Sequence, residues 1–478
     1  MITEIKKIYS TDFSVHHIIL TDSFSNIPKS QLSEKESVYI NKLDVEDEVK
    51  SVHFNNFEQQ KFIISVPKKD KDFLTDEAFR KAGSSLKFQS LSIEEITIYD
   101  FTSSNGSLFF AEGMILGNYK FDKYKGKDKQ KPLTHIFIYC DNLREKDVEL
   151  MNISNQATFK CRDLSNEPQS VIDSFSIAKV FKEMCDETGI TIEIFNKKKI
   201  ESLKFGGILA VNKGSINEPT FSVMKWKPEN AINKKPYIFV GKGVVFDTGG
   251  LNVKTGNSML DMKIDMAGAA AVATAMWAIS KAKLPVYAIA LVPATDNRSN
   301  GNAYAPGDII KMHNGKTVEI INTDAEGRMI LADALSYASK FEPELVIDLA
   351  TLTGSAVRAI GKYASAAMKN ESCQHYDLLS KSGENVYERL VEFPMWDEYG
   401  DSIKSDFADI KNLGDSDAGL ISAAKFLEHF VSFPWIHLDI AGSSILSSKY
   451  DYSTKGASGV GTRLLFDFVK KLTENKLD

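Results

Sequence analysis

Cysteine and histidine are both scarce in this chain, with four and eight among 478 residues. Cys140, Cys161, Cys185 and Cys373 stand far apart with no Cys-x-x-Cys pair. That excludes a disulfide framework and a thiolate zinc site, and it points to the reducing cytosol. The opening MITEIKKIYSTDF lacks the apolar centre and small-residue cleavage site of a secretory signal. Long hydrophobic runs are missing as well. The uncharged stretch AGAAAVATAMWAIS, Ala267 to Ser280, falls short of the roughly 18 to 20 residues that cross a bilayer. It is expected instead to be a buried helix whose alanines let neighbouring elements approach closely. A strong excess of one charge is absent too, the formal balance being -6. The chain therefore has no general attraction to phosphate backbones or anionic lipid, which argues against a nucleic-acid or membrane partner.

With 43% hydrophobic and 26% charged residues, the composition is that of an ordinary globular protein, and the length exceeds a single core. Two domains are expected: a smaller N-terminal α/β domain over 1–150, a linking helix region over 151–168 and a catalytic domain over 169–478. In the first, short apolar stretches such as KFIISV and HIFIYC read as strands between polar helices or loops. The run YKFDKYKGKDKQKP, Tyr119 to Pro132, holds six lysines against two aspartates and reads as a solvated loop. Apolar residues at Val148, Leu150, Met151, Ile153 and Ala157 have near-helical spacing, as a helix joining two domains would.

From about residue 170 the pattern repeats as strand, loop, helix. PYIFV leads into GKGVVFDTGG, VYAIALVPA into TDN, VEII into NTDAEGR, and ELVIDLA into TLTGS, with WIHLDIAG later. Short continuous apolar runs bounded by turn residues suit strands buried on both faces of a mostly parallel central sheet flanked by helices. Ligands in such sheets bind beyond the carboxyl ends of the strands.

The loops expected at that edge are rich in acids. GKGVVFDTGGLNVK contributes Lys242, Asp247 and Lys254. MKIDMAGAA contributes Asp265. INTDAEGR, Ile321 to Arg328, contributes Asp324, Glu326 and Arg328, and no histidine lies within seven residues of it. Four carboxylates gathered in one place repel one another unless positive charge sits among them. Two divalent cations balance them, which favours a dinuclear site of oxygen ligands with the Lys242 amine as a nitrogen donor. Lysine ligates only when neutral, and deprotonating it at pH 7 costs roughly 4 to 5 kcal/mol that the metal must offset.

Each element also has a plainer use. The glycine-rich GKGVVFDTGG lacks the order a phosphate-binding P-loop requires. Asp265 alone would serve as a helix cap, Lys242 as a turn lysine, Asp324 and Glu326 as loop solvation, and Arg328 as their ion-pair partner. It is the combination of three acid-bearing loops at strand ends that favours a site. A two-metal phosphoesterase fits the carboxylate count but not the lysine, and a DNA-binding role fits poorly with the acidic balance.

In the order RDLSNEP, VGKGVVFDTGG, MKIDMAGAA, NTDAEGR, DLATLTG, NLGDSDAGLISAAKFLEHFV and HLDIAG, spread over most of the chain after residue 160, the sequence resembles the cytosol aminopeptidase family, the leucyl aminopeptidase type of two-metal exopeptidase. The resemblance implies that Lys242, Asp247, Asp265, Asp324 and Glu326 are metal ligands. Asp247 and Glu326 would bridge two divalent ions, manganese, zinc or magnesium, and Asp324 would also offer its backbone carbonyl. It implies that Lys254 and Arg328 are catalytic, with bicarbonate at Arg328 as proton shuttle. Met262, Thr351, Gly354 and Ala441 would line the pocket for the first side chain, while Ser444 stands where some relatives carry an apolar residue. The implied protein is a cytoplasmic homohexamer that removes leucine and similar residues from peptides with a free N-terminus. A metal-bridged hydroxide would be its nucleophile, since water shared by two dications ionises near neutral pH.

Overall fold

The apolar runs become strands in the computed structural model, which describes residues 2–10, 16–43, 48–56, 58–86, 93–126 and 132–475. Residues 127–131 of the lysine-rich run lie outside the described residues. Two units divide the chain, Met1–Gln156 with Ser448–Lys455, and Ala157–Ser447 with Gly456–Asp478.

The first unit is built on six strands, β1 (Glu4–Ile8), β2 (His17–Thr21), β3 (Lys50–Asn55), β4 (Gln60–Ser65), β5 (Glu95–Phe101) and β6 (His135–Tyr139). They lie in the order β1-β6-β5-β2-β4-β3, parallel except for the edge strand β3. KFIISV supplies β4 and HIFIYC supplies β6. Helices α1 (Glu34–Ile40), α2 (Asp72–Ser85) and α3 (Ser107–Gly117) accompany the sheet, and α4 (Glu145–Asn166) runs across the division between the units. In α1, Glu36 is more than surface charge: it closes a capping box with Ser33, satisfying two otherwise orphaned N–H groups.

In the second unit the strands are β7 (Thr191–Phe195), β8 (Thr220–Trp226), β9 (Tyr237–Gly241), β10 (Gly243–Asp247) and β11 (Ala288–Asn297), followed by β12 (Ile309–Lys311) and β13 (Thr317–Glu319). Then come β14 (Leu345–Ala350), β15 (Ser365–Lys369), β16 (Leu390–Glu392), β17 (Ile410–Lys411) and β18 (Trp435–Asp439). The central sheet runs β16-β15-β18-β14-β9-β11-β8-β7, with β10 paired to β11. Its middle strands β18, β14, β9, β11 and β10 are all parallel, and β15 and β8 turn antiparallel on either side. Every residue of β9, β11, β14 and β18 is buried, which is why these segments read as unbroken apolar runs rather than as alternation.

One expected strand lies elsewhere. VEII yields only β13, which sits in a separate three-stranded sheet with β12 and β17. Only Val318 of β13 is buried, so the segment has one covered face and cannot serve in the middle of a sheet.

Among the helices of this unit, α5 (Ser174–Thr188), α6 (Lys197–Ser202), α7 (Gly206–Asn212), α8 (Ala267–Lys281), α9 (Glu326–Ala338) and α10 (Gly354–Ile360), two carry the site. Helix α8 packs against β9 and β14, and α9 against β9 and β11. The alanine-rich run does form a buried helix, with every residue from Ala267 to Ser280 covered. A Cβ on Gly268 would lie 2.1 Å from the Leu349 carbonyl oxygen, so only glycine lets α8 approach β14 this closely. No helix among the described residues is long and apolar enough to cross a membrane.

Candidate metal centre

Because β9, β10, β11, β14 and β18 run in one direction, their carboxyl ends share one edge, and the segments bearing Lys242, Asp247, Lys254 and Asp265 leave from it, whereas INTDAEGR follows β13 of the three-stranded sheet and not, as expected, a strand of the central one. Lys242 follows β9 directly. Its N–H donates to the Leu349 carbonyl and its own carbonyl accepts from Ala269 N–H, which fixes its backbone between β14 and α8. Asp247 ends β10 and Asp265 lies two residues before α8. Glu326 is the first residue of α9, where a carboxylate suits the positive end of the helix dipole.

These side chains converge. One carboxylate oxygen from each of Asp247, Asp265 and Glu326 lies within 4.8 Å of the others. Lys242 Nζ stands 2.7 Å from Asp265 Oδ1 and 2.9 Å from Glu326 Oε1, and donates to the Thr351 carbonyl at 2.9 Å. Lys254 Nζ stands 2.7 Å from Asp247 Oδ2 and 2.6 Å from Asp324 Oδ1, so Asp324 joins the group through that lysine. The glycine of NTDAEGR has its reason here, since a Cβ on Gly327 would come 2.5 Å from Lys242 Cε and push the lysine out of place.

The plainer uses do not describe what these side chains do. Asp265 does not cap α8, whose N-terminus has no side-chain cap; its carboxylate takes the Lys242 ammonium and the Thr351 hydroxyl, at 2.8 Å, instead. Lys242 is buried rather than displayed on a turn, and Glu326 is equally covered. Arg328 pairs with neither acid of its own loop. Its Nη1 donates to the Asn412 carbonyl at 2.8 Å, and its buried Nε has no hydrogen-bond partner among the described residues.

Four carboxylates here face two ammonium groups, an excess of two negative charges in a largely dry place. Burial works to lower the Lys242 pKa, but Asp265, Glu326 and Asp247 together outweigh it and hold the amine above its ordinary value. Lys254 is raised in the same way by Asp247 and Glu326 against burial. Asp265 is pushed well above the usual carboxylate range, first by burial and then by Glu326 and Asp247, with Lys242 opposing. Asp324 is raised to about 7 by burial, Asp247 and Glu326. Burial lowers Arg328 to about 10, which leaves it charged at neutral pH.

The donor set fits divalent cations. Carboxylate oxygens with one amine suit hard to borderline ions, and the buried Asp265 Oδ2 has no hydrogen-bond partner among the described residues. Added positive charge would relieve the same repulsion that raises Asp265 and Asp324.

The residues expected at the first side-chain pocket lie on several segments, and Thr351 is the one in direct contact with the cluster. Met262 sits in a 3-10 turn, Met262–Ile264, three residues before Asp265. Thr351 touches both Lys242 and Asp265, as above. Gly354 opens α10 and is exposed. Ala441 donates its N–H to Asp439 Oδ1 at 3.1 Å, and Ser444 is buried with its hydroxyl 3.3 Å from the Ala441 carbonyl. Sequence reasoning passed over Asp439, whose buried carboxylate also accepts from Leu352 N–H and the Thr353 hydroxyl and so holds the turn after β14. It passed over Asn252, Asn297 and Thr323 as well. The one signal that could have found them is their place close to a candidate acid or at the end of a predicted strand.

Residues 159–466 match the cytosol aminopeptidase family, catalytic domain. A probable cytosol aminopeptidase of a Geobacter species is 42% identical over 368 residues, covering 76% of this chain and 74% of its own. Among solved structures, a tomato leucine aminopeptidase variant superposes with a TM-score of 0.86 at 26% identity, covering 98% of this chain and 96% of its own. The bottromycin maturation enzyme BotP in complex with Mn superposes with a TM-score of 0.85 at 25% identity, covering 96% of this chain and all of its own.

Proposed function

The chain belongs to the cytosol aminopeptidase family and is a metallo-aminopeptidase, and from that premise we propose that it removes leucine and similar residues from the free N-terminus of peptides at a two-metal centre. The observation that carries this reading is the convergence of Asp247, Asp265 and Glu326 around the Lys242 amine.

Lys242, Asp247, Asp265, Asp324 and Glu326 would hold the two ions. Manganese, zinc and magnesium all suit the donor set, and the similarity to BotP in complex with Mn supports manganese. Two such ions supply the charge that makes a nucleophile of water and polarises the scissile carbonyl.

The chain's own groups do the rest. Lys254, held charged between Asp247 and Asp324, would donate to the oxyanion that develops on the carbonyl oxygen. Arg328 brings an unused donor in Nε together with the N-terminus of α9, which suits a small anion. We assign bicarbonate there, where it would supply the general base that no nearby histidine provides. Met262, Thr351, Gly354 and Ala441 would receive the first side chain. Thr351 does so while its carbonyl and hydroxyl hold Lys242 and Asp265 in place. A homohexamer, a cytoplasmic role in peptide turnover, and the division into an N-terminal domain over 1–150, a linking helix region over 151–168 and a catalytic domain over 169–478 belong to the same proposal.

The test compares leucine p-nitroanilide with its N-acetyl derivative on manganese-loaded protein. Turnover of the first alone is expected, because a free amine is needed to orient the substrate; equal turnover of both would overturn the exopeptidase reading.

A further inference from the structure

Asp247 and Lys254 leave β10 on one loop, while Asp324 and Glu326 sit on another, 70 or so residues away in sequence. Between the end of β10 and the start of α9 the residues of these loops are not regular elements, and side-chain hydrogen bonds join one loop to the other. Thr323, between Asn322 and Asp324, makes most of that connection.

The Thr323 hydroxyl has one proton and lies 2.6 Å from the Gly249 carbonyl and 3.0 Å from Asn252 Oδ1; the shorter contact takes the proton. The same oxygen accepts from Asn252 N–H at 2.9 Å. Asn252 Oδ1 in turn accepts from Thr323 N–H at 2.9 Å, so the two residues clasp each other through backbone and side chain. The Thr323 carbonyl accepts from Asn297 Nδ2 at 3.0 Å and from the Tyr304 hydroxyl at 2.8 Å.

Asn297, the last residue of β11 and fully buried, extends the clasp to a candidate ligand. The second hydrogen of its Nδ2 goes to Asp247 Oδ1 at 2.8 Å. Gly249 N–H donates to that same oxygen, also at 2.8 Å. Asp247 Oδ1 is thus engaged by the protein, and Oδ2 is the oxygen left facing Lys254. The Asn297 amide cannot be turned over without setting its oxygen against a carboxylate. Its backbone carbonyl accepts from the N–H and hydroxyl of Thr248, whose own carbonyl accepts from Lys254 N–H.

We propose that Thr323 and Asn297 are positioning residues of the aminopeptidase reaction. They lock the Asp247–Lys254 loop onto the Asn322–Glu326 loop and orient the Asp247 carboxylate, and so set the spacing of groups contributed by the two loops. The inference rests on the two-metal reading above. It assigns a purpose to the threonine of NTDAEGR, which the resemblance leaves without a role, and to an asparagine outside every motif.

Thr323→Val keeps the shape and removes the hydroxyl, Thr323→Ser keeps the hydroxyl, and Asn297→Ala removes the second arm independently. Manganese binding is followed by calorimetry on all three and on the wild-type chain, with kcat and KM on leucine p-nitroanilide. Outer-shell partners of this kind contribute about 10- to 100-fold in metal affinity or activity. Thr323→Val and Asn297→Ala are therefore expected to lose about that much in manganese affinity and kcat, with KM within about twofold, and Thr323→Ser to recover most of it. A Thr323→Val protein that melts earlier but binds manganese and turns over as the wild type does would make the clasp merely structural and overturn the proposal. So would a Thr323→Ser protein as impaired as Thr323→Val. A wild-type chain that binds no manganese would overturn the metal centre itself, and the clasp's role with it.

Discussion

The Lys242 ammonium lies 2.7 Å from Asp265 Oδ1, both groups buried, although one residue follows a strand and the other precedes a helix 23 positions later. A buried ammonium and a carboxyl group at this distance satisfy each other; removing the carboxyl alone leaves an unpaired buried charge. A lysine so held is charged, whereas a lysine that binds metal is neutral. On the proposed ligand set, loading the centre would therefore displace protons.

The pH dependence follows from the directions of the shifts. Asp324 is raised from an ordinary 3.8 to about 7, and Asp265 is raised as well. A group raised on folding adds stability that is fully present below its unfolded value and is lost as pH climbs through its folded value. The metal-free chain is expected to lose this contribution between about pH 4 and pH 7. Manganese, which needs the carboxylates free, is expected to bind more tightly as pH rises across the same window. Calorimetry at about pH 7 in buffers of different ionisation enthalpy should show more than one proton released per chain. An affinity that stays flat from about pH 5 to pH 8, with no proton release, would contradict this account of the site.

Asp324 is the acid whose removal should disturb the fold least. Its side chain is 35% exposed, against 6% or less for the carboxylates of Asp247, Asp265 and Glu326. Asp324→Ala is expected to fold, to bring bound metal down toward one ion per chain and to abolish turnover of leucine p-nitroanilide. Elemental analysis beside the activity assay checks both parts, and full activity in this variant would refute the ligand assignment.

Lys254 is expected to separate rate from binding. Lys254→Ala should keep both ions, because it removes a donor to the oxyanion and no ligand, and should lose about 10²- to 10³-fold in kcat, the usual effect of one such donor. Loss of metal in place of rate would move Lys254 into the ligand set.

Away from the centre, Asp333 on α9 ties two other segments to that helix. Its carboxylate accepts from Ile208 N–H at 2.9 Å and from His313 N–H at 3.0 Å, and burial raises it to about 7. Asp333→Ala strands the buried Ile208 donor, worth about 1–3 kcal/mol, and the half-buried His313 donor, which water can partly satisfy, so a loss of at least about 1–3 kcal/mol is expected. The midpoint of denaturant unfolding of the metal-free protein measures it; a shift equivalent to less than about 0.5 kcal/mol, the range of surface substitutions, would mean that water replaces the carboxylate.

Local pattern carried a large part of the architecture. Unbroken apolar runs such as YIFV and LVIDLA mark strands covered on both faces, because alternation vanishes when neither side meets water. The alanine-rich run marks a buried helix for the same reason. VEII misleads because four apolar or mixed residues cannot reveal which sheet they join; partner strands decide that, and β13 finds its partners in β12 and β17.

Which segments are strands or helices, and which residue types stand at their ends, could be read along the chain, since side-chain periodicity and turn chemistry are local properties. Folding alone brings Asp247, Asp265 and Glu326 within 4.8 Å, lets Lys242 in among them past Gly327, and sets Thr323 and Asn297 between the loops. Those distances join residues far apart in the chain, and they depend on strand order and on how closely a helix can lie against the sheet. No local pattern encodes either quantity.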